Sequence, residues 1–299
     1  MQFTRTEERN SRMKTDVAII DIGSNSVRLM LLADGFSFQK LLATTRLGEG
    51  LAQSVYLKSE AIERTARAVE KFVNMAREQG ATTICAYATA SVRSAKNGGD
   101  FCRRVKELCG IAVEVLSGKE EAELGLLGAL SKEDGGLIDV GGGSTEIVVR
   151  KDGKIVYEKS VDVGVVRLFD LCGRNQEALE EYIKGKIEEF GEVPKASFYA
   201  IGGTATSLMA RELNLQQYDP SALEGRTISF TRMEKMKKEL LTLSLDEIES
   251  PCIPRQRAEV LGGGCCLLCG IMKKYDIPSL TIKDSDNLEG YARKKNWIK

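Results

Sequence analysis

Asp21-Ile-Gly23-Ser24-Asn25-Ser26 and Asp139-Val-Gly141-Gly142-Gly143-Ser144-Thr145-Glu146 are two versions of one phrase, and they decide the fold. An apolar run that reads as a strand leads into each, Val17–Ile22 and Gly136–Val140. After each comes a second strand, Val27–Leu32 or Glu146–Arg150. An Asp-Gly turn follows, Asp34-Gly35 or Asp152-Gly153, and then a return strand, Phe36–Ala43 or Lys154–Ser160. Asp21 and Asp34 stand 13 residues apart, as do Asp139 and Asp152. Later, strand Thr83–Ala88 runs into Thr89-Ala90, and strand Ser197–Ile201 runs into Gly202-Gly203-Thr204-Ala205. One glycine turn recurs by chance. A whole set in register implies an internal duplication.

Helical patterns fill the intervals. Ser59 is expected to cap a helix with apolar residues at Ile62, Ala66, Val69, Val73 and Ala76, ended by Gly80. A second helix is expected from about Asp100 to Cys109, stopped by Gly110. A strand over Ile111–Leu116 and a helix from Ser117 to about Leu130 follow. The second half is expected to carry helices around Gln176–Phe190 and over Leu261–Met272. Two similar halves result, each an antiparallel meander extended by strand–helix units. This is the α/β order of the duplicated actin-like (ribonuclease H-like, ASKHA) fold, two domains with a cleft between them.

Composition narrows the chemistry. The chain has 299 residues, room for two domains, and 42% of them are apolar. Lys and Arg total 43, as do Asp and Glu, so no basic surplus supports DNA binding. No apolar run is long enough for a membrane span. Met1–Thr15 is polar and reads as a frayed tail rather than a targeting segment, with Met13 a second candidate start. Eight cysteines without a disulfide pattern point to a reducing cytoplasm. Cys265, Cys266 and Cys269 fall in the expected apolar helix and read as packing residues, not zinc ligands. The chain has no histidine, which excludes a Ser-His-Asp triad and His-ligated zinc. Any general base is a carboxylate, lysine, cysteine or tyrosine.

The two glycine turns suit phosphate. Phosphate oxygens need several converging donors with no bulky side chain between them, and glycine lets backbone amides approach. Gly23, Ser24, Asn25 and Ser26 supply one set; Gly141, Gly142, Gly143, Ser144 and Thr145 supply the other; Gly203 and Thr204 form a third small-residue turn. Asp21, Asp139 and Glu146 would repel phosphate unless a cation lies between, which suits Mg²⁺ (or Mn²⁺) with its hard oxygen ligands. The alternative is that each aspartate orders its own turn. Ser117 and Glu120 have capping-box spacing, which leaves Glu121 without a structural task. It is either a base for water or an ordinary first-turn acid. Arg93, expected at a strand end, and nearby Lys96 are candidate phosphate contacts. Arg46, Arg167, Arg255 and Arg257 are further cations that the sequence does not place.

These segments resemble the exopolyphosphatase / guanosine pentaphosphate phosphohydrolase (Ppx/GppA) family in its short two-domain form. The resemblance runs from Asp16 onward through Asp21-Ile-Gly-Ser-Asn-Ser-Val-Arg-Leu, Ala88-Thr-Ala-Ser-Val-Arg93, Ser117-Gly-Lys-Glu-Glu-Ala, Asp139-Val-Gly-Gly-Gly-Ser-Thr-Glu146, Gly164-Val-Val-Arg167-Leu and Ile201-Gly-Gly-Thr204. It implies that Glu121 is the water-activating base, that Asp139 and Glu146 hold magnesium, and that Arg93 touches phosphate. It also implies that the last helix returns to the first domain, giving 15–125 plus 285–299 as domain I and 126–284 as domain II. Two features depart from the pattern. The segment Asp284-Ser-Asp-Asn-Leu-Glu289-Gly290 lacks the arginine the resemblance leads one to expect, and the helical C-terminal domain of longer members is not expected here.

The expected reaction is attack of water on a terminal phosphoryl group of polyphosphate, with guanosine pentaphosphate as the alternative substrate. A kinase of the same superfamily and a nucleotide-binding regulator without turnover are the rival classes. A homodimer is compatible with the sequence.

Overall fold

The computed structural model describes residues 15–298; the N-terminal tail, with Met13, lies outside the described residues. The first half builds a five-stranded sheet from β1 (Val17–Ile22), β2 (Ser26–Ala33), β3 (Phe36–Thr44), β4 (Thr83–Ala88) and β5 (Val113–Val115), in the order β3-β2-β1-β4-β5. The second half builds a six-stranded sheet from β6 (Gly135–Val140), β7 (Thr145–Lys151), β8 (Lys154–Val161), β9 (Phe198–Ile201), β10 (Thr227–Ser229) and β11 (Ser279–Ile282). Its order is β8-β7-β6-β9-β11-β10, the same plan with one strand added.

The duplication extends to backbone detail at a constant offset of 118 residues, the interval from Asp21 to Asp139. Gly23 N–H donates to Ser26 O and Gly141 N–H to Ser144 O, both at 3.0 Å. The β2–β3 ladder shifts register at Leu31/Leu32 and the β7–β8 ladder at Val149/Arg150. Asp34 and Asp152 both adopt left-handed backbone, at φ 52° and 51°. The Asp16 carboxylate receives the amide of Asp34, and the Asp134 carboxylate that of Asp152. The fold is therefore the duplicated actin-like one.

The helices of the first half are α1 (Ser59–Glu78), α2 (Ala90–Ser94), α3 (Gly98–Cys109) and α4 (Gly118–Leu130). Ser59 is the first residue of α1 and not its cap; Lys58 precedes it without a side-chain cap bond. The expected strand Ile111–Leu116 is only Val113–Val115, and residues after Thr89 turn at once into α2, so Arg93 is helical. The second half adds α5 (Val165–Cys172), α6 (Gln176–Glu188), α7 (Gly202–Glu212), α8 (Pro220–Leu223), α9 (Phe230–Thr242), α10 (Leu245–Ile248), α11 (Arg255–Lys274) and α12 (Asn287–Lys294). The cysteine-bearing helix is α11, longer than expected, and it buries Leu261 through Cys269 in the larger core. Cys265 Sγ there lies 3.6 Å from the Met233 carbonyl.

Helix α12 returns to pack on α4 and β1. Glycines let it come close. A Cβ at Gly128 would fall 1.9 Å from the Asp286 carbonyl, and one at Gly290 1.9 Å from the Leu124 carbonyl. Helix α4 meets both halves: Leu124 joins the core of β1, β2 and α12, while Leu126 and Leu130 pack with Leu137 and Val148 of the second sheet. This seats the first turn of α4 at the junction between the sheets.

Candidate active site

The two phosphate-type loops face each other across the junction. A Cβ on Gly142 would lie 2.8 Å from Ser24 Cβ, and one on Gly143 2.7 Å from Ser24 Oγ. Only glycine permits this approach. Beside the meeting point a cavity of about 830 Å³ opens between the halves. Its wall includes Gly23, Ser24, Asn25 and Ser26 of the first loop, Gly141 to Ser144 of the second, and Gly203 at the start of α7. Asp21, Glu121 and Asp139 also reach it.

Four expected site residues stand outside that wall: Arg93, Thr145, Glu146 and Thr204. The Thr145 hydroxyl donates to the Val163 carbonyl at 2.5 Å and the Thr204 hydroxyl to the Val140 carbonyl at 2.9 Å. Both side chains are buried, and these hydroxyls tie β7 to the segment after β8 and α7 to β6. Arg93 donates to the Leu116 carbonyl at 2.8 Å and to Glu121 Oε2 at 3.0 Å. It holds a carboxylate. Lys96 lies over the Tyr56 ring, away from the loops.

Ser117 and Glu120 form the expected capping box, with Glu120 N–H on Ser117 Oγ and Ser117 N–H on Glu120 Oε2. Glu121, the next residue, is only 8% exposed and turns toward the cavity. Burial raises its pKa, against the pull of Arg93, and the charge of Asp21 adds to the rise. A carboxylate with raised proton affinity, fixed by a cation on one side and open to a cavity on the other, is equipped to accept a proton.

The duplication explains the unlike behaviour of the other acids. Asp21 lies directly opposite Arg28 on β2; Asp139 lies directly opposite Glu146 on β7. The first pair is a salt bridge, with Arg28 Nε 3.1 Å from Asp21 Oδ2. Arg28 also grips Asp286, the N-cap of α12. One oxygen of Asp21 is thus committed to an internal cation, which leaves Oδ1 for any other ligand. Burial still raises the Asp21 pKa above the ordinary value. The second pair is two facing carboxylates, an arrangement that destabilises a sheet unless a proton or cation intervenes. Burial, followed by the charges of Glu121 and Asp286, pushes Asp139 up to about 7. Burial, then Glu121 and Asp139, push Glu146 well above the ordinary range.

The partners of this acid pair leave room for a cation. Asn287 Nδ2 donates to Asp139 Oδ2 at 3.4 Å, and Ser160 Oγ to Glu146 Oε1 at 2.6 Å. Glu146 Oε2 is buried without a hydrogen-bond partner among the described residues. Among the described residues no three Asp, Glu, Cys or His side chains are grouped to hold a metal by themselves. Two hard oxygens and surplus negative charge fit Mg²⁺, which keeps waters and takes substrate oxygens.

Other cations at the cavity come from positions the sequence left unplaced or missed. Arg257 on α11 lines the wall, and its guanidinium has no carboxylate or carbonyl partner among the described residues. A Cβ at Gly203 would fall 2.5 Å from its Nη2, so the guanidinium lies against the start of α7. Burial, helped by Arg28, lowers its pKa to about 10, so it stays charged at neutral pH. Arg46 instead pairs with Glu259, Arg167 donates to the Gly143 carbonyl at 3.3 Å, and Arg255 pairs with Asp246. The segment 284–290, which lacks the resembled arginine, meets Lys40 of β3 through Asp284 and Glu289.

Two glycine loops meet beside a buried, arginine-held glutamate in a duplicated, actin-like α/β fold. Comparison with known proteins makes this specific. The sequence profile of the Ppx/GppA phosphatase family matches residues 35–292, and the chain belongs to that family. Exopolyphosphatase 2 of Mycobacterium tuberculosis is 28% identical over 93% of this chain and 98% of its own. The bifunctional 3-dehydroquinate synthase/phosphatase of Fusobacterium nucleatum is 25% identical over 91% of this chain, which spans only 45% of that longer protein. Among solved structures, a Ppx/GppA family member from Aquifex aeolicus superposes with TM-score 0.75 at 27% identity, covering 94% of this chain and 97% of its own. An exopolyphosphatase-like protein superposes with TM-score 0.85 at 25% identity, covering 93% and 98%.

Proposed function

We propose that this chain removes the terminal phosphate of inorganic polyphosphate by attack of water, with Glu121 as the base. The observation that carries the reading is the position of Glu121: buried, fixed by Arg93, raised in proton affinity, and facing the cavity where the two loops meet.

Backbone amides of the two loops, with the side chains of Ser24, Asn25, Ser26 and Ser144, grip the terminal phosphoryl group. Arg257 meets the next phosphate at the start of α7, where free backbone N–H groups also favour an anion. Glu121 orients a water and takes its proton as the new O–P bond forms and the bridging P–O bond breaks, the shortened chain leaving as its terminal phosphate anion. Arg93 keeps the carboxylate at that angle. Asp139 and Glu146 would hold Mg²⁺ (or Mn²⁺), which when bound neutralises charge on phosphoryl oxygens. Asp21 serves through its pair with Arg28 by anchoring the first loop to α12.

The cavity wall carries six carboxylates, Asp21, Glu121, Asp139, Asp284, Asp286 and Glu289, against three cations, Arg28, Lys40 and Arg257. Two of those cations are already paired. This supports a grip on the last few phosphates only. A second reading is favoured by the outer wall, where Tyr218, Pro251 and Pro254 offer flat apolar surface. A nucleoside polyphosphate such as guanosine pentaphosphate would use it. The test is phosphate release from each substrate with Mg²⁺ and no acceptor. Release supports hydrolysis, and the ratio of kcat/KM ranks the substrates. Release only when an acceptor is added would mean a kinase, and binding without release a regulator.

A further inference from the structure

Tyr87 is fully buried in β4, and among the described residues no atom stands in standard hydrogen-bond geometry to its hydroxyl. The ring is fixed by stacking on Tyr291, centroids 4.9 Å apart, and by Leu116, Leu124 and Leu288 in the same core. A buried hydroxyl without a partner is disfavoured, and a core position would ordinarily hold phenylalanine. The strand register gives the hydroxyl an address. Tyr87 lies directly beside Asp21 of β1, on the same face of the sheet. Asp21 Oδ1 is the complementary group: a buried acceptor, also without a partner, on a carboxylate whose other oxygen is taken by Arg28. A donor and an acceptor, each unsatisfied, therefore share one buried compartment beneath the first glycine loop. The hydroxyl is near enough to favour the charged form of Asp21, and the charges of Asp21, Arg28, Asp286 and Glu121 all act on Tyr87.

We propose that Tyr87 is a positioning residue whose hydroxyl donates to Asp21 Oδ1, directly or through one water. It is the fourth member of a chain, with Asp21, Arg28 and Asp286, that anchors the first glycine loop to α12. The hydroxyl touches no substrate. It sets the angle of the Asp21 carboxylate, and so of the turn Gly23–Ser26 that begins two residues later. Its effect on turnover rests on the hydrolase reading above; its contact with Asp21 does not.

The experiment is a double-mutant cycle with Tyr87→Phe, Asp21→Asn and both, read in two ways. In steady-state phosphate release, Tyr87→Phe is expected to lower kcat about tenfold, with KM changed less than twofold, and to have no further effect in the Asp21→Asn background. In urea unfolding, it is expected to lower the midpoint of the wild type but not of Asp21→Asn. Wild-type kcat in Tyr87→Phe, or an equal loss in both backgrounds, would overturn the proposal. If the wild type releases no phosphate, the functional reading fails, and the unfolding cycle still decides the contact. A midpoint unchanged or raised by Tyr87→Phe would then overturn it.

Discussion

Asp139→Asn should stabilise the metal-free protein, by an amount that grows with pH. The wild-type carboxyl is half-buried opposite Glu146, and desolvation with the charges of Glu121 and Asp286 pushes its pKa up to about 7 from an ordinary 3.8. Between those limits the folded protein keeps a proton that the unfolded chain has released. The stability this group provides is therefore whole below about pH 4, and it is lost as pH rises through about 7. Three pH units correspond to roughly 4 kcal/mol at most. Asparagine has nearly the same shape, can still accept from Asn287, and does not titrate. Unfolding by urea in EDTA should show the two proteins close together near pH 4. The variant should pull ahead up to about pH 7 and then hold a constant lead. Mg²⁺ should close that gap above pH 7 by stabilising only the wild type, by about 2.7 kcal/mol at a hundredfold excess over Kd. A gap independent of pH, or a variant less stable than wild type at pH 8, would refute the account of the facing carboxylates.

Gly143→Ala should destabilise by about 1–3 kcal/mol through overpacking against Ser24 Oγ, 2.7 Å from the new Cβ. Adding Ser24→Ala should restore the unfolding midpoint; no effect of either change would mean that the loops do not meet in solution. On long-chain polyphosphate, a gel time course should show the whole population shortening gradually, because among the described residues Arg257 is the one cavity cation without an acidic partner. Full-length chains passing straight to small products would contradict that. All eight cysteines should titrate as thiols in unoxidised, denatured protein, and the purified protein should hold no stoichiometric zinc. One zinc per chain would reverse the packing role given to Cys265–Cys269.

Much of this architecture was legible because it is local and repeated. Asp-x-Gly after a strand and Asp-Gly 13 residues on specify a meander twice, and the structure repeats even the bulge and the left-handed aspartates. Glu121 stood out because Ser117 claims Glu120 and leaves its neighbour without a cap to serve. What escaped was pairing across long separations. Arg28 meets Asp286, and Lys40 meets Glu289, through the return of α12 to the first sheet. No local pattern shows that return. Arg28 did have a signal, since it sits seven residues after Asp21 where Glu146 follows Asp139. Reading the repeat for its differences would have separated the salt bridge from the acid pair. The bonds of the Thr145 and Thr204 hydroxyls were not legible either, because a hydroxyl beside glycines looks the same in sequence whether it faces a ligand or a backbone carbonyl.

The central claim is that Glu121 activates water on a phosphoanhydride. It is tested most directly by acceptor-free phosphate release from polyphosphate, wild type against Glu121→Gln, with Mg²⁺ present. The variant should turn over roughly 10²-fold more slowly or worse, the scale of losing a positioned base. Its KM and unfolding midpoint should be nearly unchanged, because Glu120 still completes the cap of α4. Near-normal turnover in Glu121→Gln would remove this residue from the chemistry and contradict the mechanism.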